Sequence, residues 1–366
     1  MKGKEILQQM TPYQPGKSAE HIKRKYNVDK IVKLASNENP YGYSPVLKQS
    51  LNNFSFNFEF YPDGYATELR STLSDTLKVN DEQFVFGSGS DELIQIIVRT
   101  FLQHGQHTIM ATPTFPQYRH HALIEGAHVT EVPVVDGKHD LDKMLAEVTE
   151  NTKVIWLCTP NNPTGLSISK DEFVSFMDRC PNEVLVVLDE AYYEFQDPKY
   201  DIDAINQLKV YSNLITLRTF SKAYGLAGLR VGYAVTTEKI ARQLNIVRGP
   251  FNTSQIAQKA AVIAFKDQNF IEETVSKNKI VKDQFAQFLK TINWEFYPSE
   301  ANFMLVKTPS SGEHLFNFLI EHGYIIRPGE LLGYPKTVRI TLGEKDDMAT
   351  LHLLLQTYNR QMLEQE

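Results

Sequence analysis

Short apolar runs of strand length recur along this chain, and each stops at a polar or glycine-rich loop. Phe84-Val85-Phe86 meets Gly87-Ser88-Gly89-Ser90-Asp91-Glu92, and Thr108 to Ala111 meets Thr112-Pro113-Thr114-Phe115. Val154 to Cys158 meets Thr159-Pro160-Asn161-Asn162-Pro163-Thr164-Gly165, and Val184 to Leu188 meets Asp189-Glu190-Ala191-Tyr192. A fifth run, Leu214-Ile215-Thr216-Leu217, leads to Thr219-Phe220-Ser221-Lys222. Continuous apolar runs, as opposed to alternating ones, are what a parallel sheet covered on both faces requires. Strand, loop and helix in repetition predict an α/β domain with a parallel or mixed sheet. In such sheets ligands gather at the carboxyl ends of the strands.

The loops differ in the chemistry they offer. Lys222 sits just past a strand, with Thr219 and Ser221 before it and Arg230 eight residues on. Gly225, Gly228 and Gly232 let another molecule approach the backbone. An amine beside hydroxyls and a guanidinium suits a cofactor with both an aldehyde and a phosphate; pyridoxal phosphate has both. The Gly87-x-Gly89 turn opens an apolar helix from Leu93 to Leu102, which leaves backbone N–H groups free for an anion. Glu92 stands where a dinucleotide fingerprint needs its third glycine, so a single-phosphate cradle fits better. Asp91 and Glu92 suit the helix dipole, but their carboxylates must turn away from a bound phosphate. Asp189 at a strand end is placed to keep a pyridine nitrogen protonated, or to cap a helix. Phe115 serves equally for stacking on a flat ring or for core packing. Tyr61-Pro62-Asp63-Gly64 and the loop holding Asn162 read, by themselves, as turns. Asn37, in Leu34-Ala35-Ser36-Asn37-Glu38-Asn39-Pro40-Tyr41-Gly42, either presents an amide to a substrate or closes a turn. Tyr13, in Thr11-Pro12-Tyr13-Gln14-Pro15-Gly16, lies in a lead-in that prolines keep irregular and either covers a ligand or does not.

The chain has 366 residues, enough for two cores. A net charge of -6 argues against a general nucleic-acid binder, and the cluster His21 to Lys25 reads as a solvated helix face. Cys158 and Cys180 fit no disulfide or metal spacing and are expected to be reduced. The first ten residues lack an apolar signal region, and no apolar run is long enough to span a membrane, so a cytoplasmic location is expected. Helices are expected at 66–78, 238–250 and 255–290, with Pro250-Phe251-Asn252-Thr253 an interruption of no evident role. After about 291 short strands and helices alternate, and Arg327 and Arg339 each lie on a strand-like segment. The expected organisation is an arm with a short helix over 1–30, a large α/β domain over 31–265 and a small α+β domain over 266–366.

Ser221-Lys222-Ala223-Tyr224-Gly225-Leu226-Ala227-Gly228-Leu229-Arg230-Val231-Gly232 resembles the lysine segment of fold-type I pyridoxal-phosphate aminotransferases. The Tyr-Pro turn, Gly-Ser-Asp-Glu, Asn-Pro-Thr-Gly, Asp-x-x-Tyr, Ser-Lys, Arg and a terminal Arg-Ile-Thr follow in that family's order. The resemblance implies a mostly parallel sheet flanked by helices plus a smaller α+β domain. It implies Lys222 as the cofactor lysine and proton carrier, Asp189 at the ring nitrogen, and Asn162 and Tyr192 at the phenolic oxygen. Phe115 becomes the stacking residue. Ser90, Asp91, Thr219, Ser221 and Arg230 surround the phosphate, with Tyr61 reaching it from the neighbouring subunit of a homodimer. Arg339 matches the arginine that holds the substrate's anion. The segments around Tyr13 and Asn37, together with Arg327, resemble members whose amine substrate carries a phosphate and whose amino acceptor is 2-oxoglutarate. Aromatic amino-acid transamination and phosphothreonine decarboxylation use similar scaffolds. A nicotinamide-dependent dehydrogenase and a non-catalytic regulator are the readings from other classes.

Overall fold

The computed structural model describes residues 3–10 and 19–364. Its centre is a seven-stranded sheet built from β2 (Phe84–Gly87), β3 (His107–Thr112), β4 (His128–Pro133), β5 (Thr152–Cys158), β6 (Leu185–Asp189), β7 (Leu214–Thr219) and β8 (Gly232–Thr236). The order is β2-β8-β7-β6-β5-β3-β4. All neighbours pair in parallel except β8, which runs against both β2 and β7. The five expected apolar runs are five of these strands. Two strands lie outside those runs: β8, wholly buried but readable only as the tail of the lysine segment, and β4, which carries His128, Thr130 and Glu131 at the sheet's edge and fully buries only Val132, so no apolar run announced it.

Successive strand residues face opposite ways. Ile155, Leu157, Val186 and Leu188 enter one core, with helices Thr67–Leu77, Lys170–Met177 and Gln255–Lys266 over them. Val154, Trp156, Val187 and Leu217 enter the other, beneath Ser90–Phe101, Gln117–Ile124 and Glu238–Val247. Both faces are covered, which is why the runs are apolar without alternation. The register then sets up the site. Gly87 pairs with Gly232, Gly232 with Thr219, Asp189 with Leu217 and Cys158 with Asp189. The functional loops therefore leave from one edge. Because β8 is reversed, it brings its first residues there, with Arg230 just ahead of them.

The C-terminal part adds β9 (Phe303–Lys307), β11 (Arg327–Pro328) and β12 (Thr337–Thr341) in an antiparallel sheet of order β11-β12-β9. A further strand, β10 (Tyr324–Ile325), pairs in parallel with β1 (Val32–Lys33). Val32 and Leu34 sit in the core that holds Phe285, Met304, Leu315 and Ile340. Residues 32–34 thus pack with the C-terminal elements, although the large domain was expected to begin at 31, while Lys4 Nζ donates to the Ile124 carbonyl beside the large sheet at 2.7 Å. Helix Gln268–Thr291 inserts Ile271 into the large core and Val281, Phe285 and Leu289 into the small one. No helix among the described residues is long and apolar enough to cross a membrane.

An ion pair lies between β6 and β7, directly below the site. Arg218 Nε is 3.0 Å from Glu190 Oε2, with side chains only 9% and 2% exposed. The Thr216 hydroxyl also donates to Glu190 Oε2 at 2.7 Å, and the Arg218 guanidinium stands 3.8 Å over the Tyr193 ring. Removing one partner strands the other charge in the core. Arg218→Met should therefore cost about 3–5 kcal/mol, seen as a lower urea midpoint, and adding Glu190→Gln should recover part of it. A midpoint unchanged by Arg218→Met would remove the pair from any part in stability.

Candidate active site

The anion end of the site depends on missing side chains. Gly89 adopts φ +82°, and a Cβ there would collide with the Arg230 guanidinium. A Cβ on Gly232 would lie 2.9 Å from the Ser90 amide nitrogen. Helix Ser90–Phe101 has no side-chain cap, so its first backbone N–H groups stay available. Arg230, itself at φ +56°, is held beside them. Its Nη1 donates to Ser221 Oγ at 3.3 Å and to the Ala227 carbonyl at 3.2 Å, and Nη2 donates to the Ser88 carbonyl at 3.3 Å. Thr219 Oγ1 donates to Ser221 Oγ at 3.0 Å and accepts from the Ser221 N–H at 3.1 Å. Helix terminus, guanidinium and hydroxyls together make a cradle for one phosphate.

The two acidic residues of this helix part company. Glu92 Oε2 turns back to accept from the Ser88 N–H at 2.5 Å and from Asn252 Nδ2 at 2.7 Å. Asp91 stays 3.9 Å from Arg230; burial raises its pKa, opposed by Arg230 and Lys222. Asn252 also gives the interruption at Pro250-Phe251-Asn252-Thr253 its role. Its Nδ2 donates to the Phe86 carbonyl at 3.0 Å, while Arg248 spans from Asn252 Oδ1 at 2.7 Å to the Gly64 carbonyl at 2.9 Å. Phe251 stacks on Tyr61 with centroids 4.6 Å apart. The bracket ties the Tyr61 turn to the phosphate cradle. Tyr61 is 80% exposed.

The reactive end collects the other predicted residues. Lys222 is half-buried, and its Nζ donates to the Ser36 carbonyl at 3.0 Å. Burial lowers its pKa to about 8, and the charge of Arg339 pushes the same way against Glu38 and Asp91. Asp189 is buried, with Oδ2 accepting from the Tyr118 hydroxyl at 2.6 Å and Oδ1 from the Ala191 N–H at 3.1 Å. Burial raises its pKa to about 6 in spite of those two donors. The Tyr192 hydroxyl accepts from Asn37 Nδ2 at 2.9 Å, and burial moves its pKa up to about 12. Asn37 is buried at φ +56°, and Thr341 Oγ1 accepts from its N–H at 3.0 Å and donates to its Oδ1 at 3.1 Å. Its amide is aimed at Tyr192. Asn162 Oδ1 accepts from Arg339 Nη1 at 2.6 Å, and Arg339 Nη2 donates to the Ala35 carbonyl at 2.7 Å. Phe115 is half-buried and meets Tyr118 edge-on, centroids 5.6 Å apart at 78°. Arg327 pairs directly with Arg339 across β11 and β12, so the two side chains leave on one face. Tyr13 lies outside the described residues.

Three contributors went unforeseen. Tyr118 follows Phe115 by three residues, on a short helix that buries only Tyr118 and Ala122, and reads as core. Asn252 sits in a loop whose partners come from distant segments. The Ser36 carbonyl is backbone, on which residue type carries no signal. The predicted residues fit pyridoxal phosphate. A glycine-lined cradle with a guanidinium suits its phosphate, a buried carboxylate its ring nitrogen, and an amine of lowered pKa its aldehyde.

The family model described as aminotransferase class I and II matches residues 29–353. The histidinol-phosphate aminotransferase 2 of Oceanobacillus iheyensis is 51% identical over 363 residues, 99% of this chain and 100% of that protein. The histidinol-phosphate aminotransferase of Bacillus subtilis (strain 168) is 50% identical over 94% of this chain and 96% of its own. A crystal structure of histidinol-phosphate aminotransferase from Sinorhizobium meliloti, in complex with pyridoxal-5'-phosphate, superposes with a TM-score of 0.88 at 27% identity. It covers 98% of this chain and 97% of that one.

Arg339 and Lys222 give a test of the site's electrostatics. Arg339 favours the neutral amine, so Arg339→Gln should move the titration of Lys222 upward from about 8, towards an ordinary lysine. Labelling of Lys222 in cofactor-free protein by an amine reagent across pH 7 to 10, read by peptide mass, measures the midpoint. No upward movement would mean that the guanidinium's charge does not reach the amine.

Proposed function

The chain belongs to the class I and II aminotransferases, and from that premise we propose that it is a histidinol-phosphate aminotransferase. The reaction exchanges an amino group between L-histidinol phosphate and 2-oxoglutarate and yields imidazole acetol phosphate and glutamate, a step of histidine biosynthesis expected in the cytoplasm. One observation carries the choice of substrate: Arg327 and Arg339 form a direct cross-strand pair on one face. A phosphate has three acceptor oxygens and close to two charges, so it satisfies two forked guanidiniums together. A carboxylate fills one. The relatives that are 51% and 50% identical carry this activity in their names.

Ser90, Asp91, Thr219, Ser221 and Arg230 hold the cofactor's phosphate, the first two through backbone N–H groups. Phe115 lies against its ring, Asn162 and Tyr192 serve its phenolic oxygen, and Lys222 takes its aldehyde. When bound, pyridoxal phosphate supplies the electron sink for the carbanion at the substrate's amine-bearing carbon. Asp189 provides the counter-charge that keeps the ring nitrogen protonated. Once the substrate's amine has taken its place on the aldehyde carbon, Lys222 Nζ, with a pKa of about 8 as a free amine, would take the proton from the substrate carbon as general base and deliver it to that aldehyde carbon as general acid. Arg339 is fixed by Asn162 and Ala35, so it presents a positioned charge to either substrate. Both substrates use this one site in turn, and the kinetics are ping-pong.

Phe58, Phe60, Tyr61 and Tyr65 are 75%, 70%, 80% and 75% exposed. Four large exposed aromatics within eight residues of the chain are a marker of an interaction site. They support a homodimer in which Tyr61 reaches the partner's phosphate cradle.

Two sets of variants test the reading. Arg339→Gln should impair every substrate. Arg327→Gln should lower kcat/KM for histidinol phosphate by about 10- to 100-fold, from loss of a charge-assisted hydrogen bond, with a smaller effect on 2-oxoglutarate, phenylalanine or tyrosine. An equal loss on phosphate and carboxylate substrates would defeat the assignment. Tyr61→Phe should weaken cofactor retention by about 0.5–3 kcal/mol, and sedimentation should give a dimer. A fully active monomer would show each site to be complete within one chain.

A further inference from the structure

We propose that Tyr118 is a positioning residue for the amino-transfer reaction: its hydroxyl aims the Asp189 carboxylate and keeps it ionised for the cofactor's ring nitrogen. The inference rests on the role given to Asp189 above. Tyr118 is fully buried and donates to Asp189 Oδ2 at 2.6 Å. Its ring is fixed on both sides. It stacks on Trp156 with centroids 4.7 Å apart at 14°, and Phe115 meets it edge-on. Trp156 is itself anchored, with Nε1 donating to Thr108 Oγ1 at 2.9 Å and that hydroxyl donating to the Val154 carbonyl at 2.8 Å. The sheet therefore sets where the hydroxyl stands. Packing explains the ring, for which phenylalanine would serve equally. It does not explain a polar atom buried in hydrophobic surroundings and directed at a carboxylate.

The chemistry gives the hydroxyl a purpose. Among the described residues Asp189 accepts from two donors, the Tyr118 hydroxyl and the Ala191 N–H. A carboxylate accepts about four hydrogen bonds, so lone pairs remain for a ring N–H. Burial and the nearby charges of Asp91 and Glu190 all favour the protonated acid, and the donors oppose them. Burial also keeps the Tyr118 phenol un-ionised, so it acts as a donor. Without that donor the carboxylate drifts towards the neutral form, which offers the ring nitrogen no counter-charge.

The test compares pyridoxal phosphate with an analogue that has carbon in place of the ring nitrogen. Dissociation constants are measured for the wild type, Tyr118→Phe, Asp189→Asn and the double variant. Tyr118→Phe should weaken pyridoxal phosphate about tenfold or more and leave the analogue within about threefold, because the lost bond served a charged group. In the Asp189→Asn background it should change little, since both changes remove one interaction. Equal weakening of cofactor and analogue would mean a purely structural tyrosine, and no weakening of either would mean an idle hydroxyl; each overturns the proposal. If Asp189→Asn fails to discriminate cofactor from analogue, the assignment of Asp189 falls, a separate result. A near-isosteric second variant, 3,5-difluorotyrosine at 118, keeps the test open if the phenylalanine form does not fold. As a stronger donor it should tighten pyridoxal phosphate but not the analogue, and unchanged binding of both would again overturn the proposal.

Discussion

No side chain fits between the start of β8 and the turn that opens helix Ser90–Phe101. Gly232 stacks against the Ser90 amide, and Gly89 lies under the Arg230 guanidinium. That close approach is the constraint on which the site depends. It sets a helix terminus beside a fixed positive charge, and it requires a reversed strand that delivers Arg230 to an edge otherwise reached by strand ends. Thr219 pairs with Gly232, which fixes how far Lys222 stands beyond the sheet. Widening the gap by one methyl group would displace the phosphate cradle and the lysine loop together.

The reactive end has a different support. Three consecutive residues of the loop after β1 touch three functional groups. The Ala35 carbonyl accepts from Arg339, the Ser36 carbonyl from Lys222, and the Asn37 amide donates to Tyr192. That loop leaves β1, a strand paired with the C-terminal part of the chain, and Asn302 Nδ2 donates to its Asn37 carbonyl at 3.1 Å. It thus carries the position of the C-terminal elements to the lysine. Helix Gln268–Thr291, shared by both cores, fixes the same relation from the other side.

What could be foreseen follows from these supports. Five of the buried strands were legible because a sheet covered on both faces demands unbroken apolar runs; β8, opening on a glycine inside the lysine segment, does not read as one. The edge strand β4 was not legible, since one covered face leaves a pattern close to that of a loop. Asp189, Lys222 and Arg230 stand in segments whose residue types are odd for structure alone, so they stood out. Tyr118 did not, because a tyrosine on the buried side of a short helix differs from a packing phenylalanine only by one oxygen. Asn252 and the Ser36 carbonyl owe their roles to long-range contacts, |i−j| of 160 and 186 in the bonds they make, which no local pattern encodes. The turn at Tyr61 was legible as a turn; its link to the cradle through Arg248 and Asn252 was not.

Arg339 is bonded to Asn162 and to Ala35 within the protein itself. A long cationic side chain ordinarily loses about 1.5–2 kcal/mol of rotamer freedom when it is immobilised. Here that loss falls on folding, along with part of the guanidinium's desolvation. In the role proposed for Arg339, an incoming anion would meet a charge already stripped of freedom and water, so less of its binding energy would go into ordering the protein. On that proposal affinity for the substrate would be stored in the fold, and anything that loosens the junction of β12 with the loop at Ala35 would draw that store down without touching a group that meets the substrate.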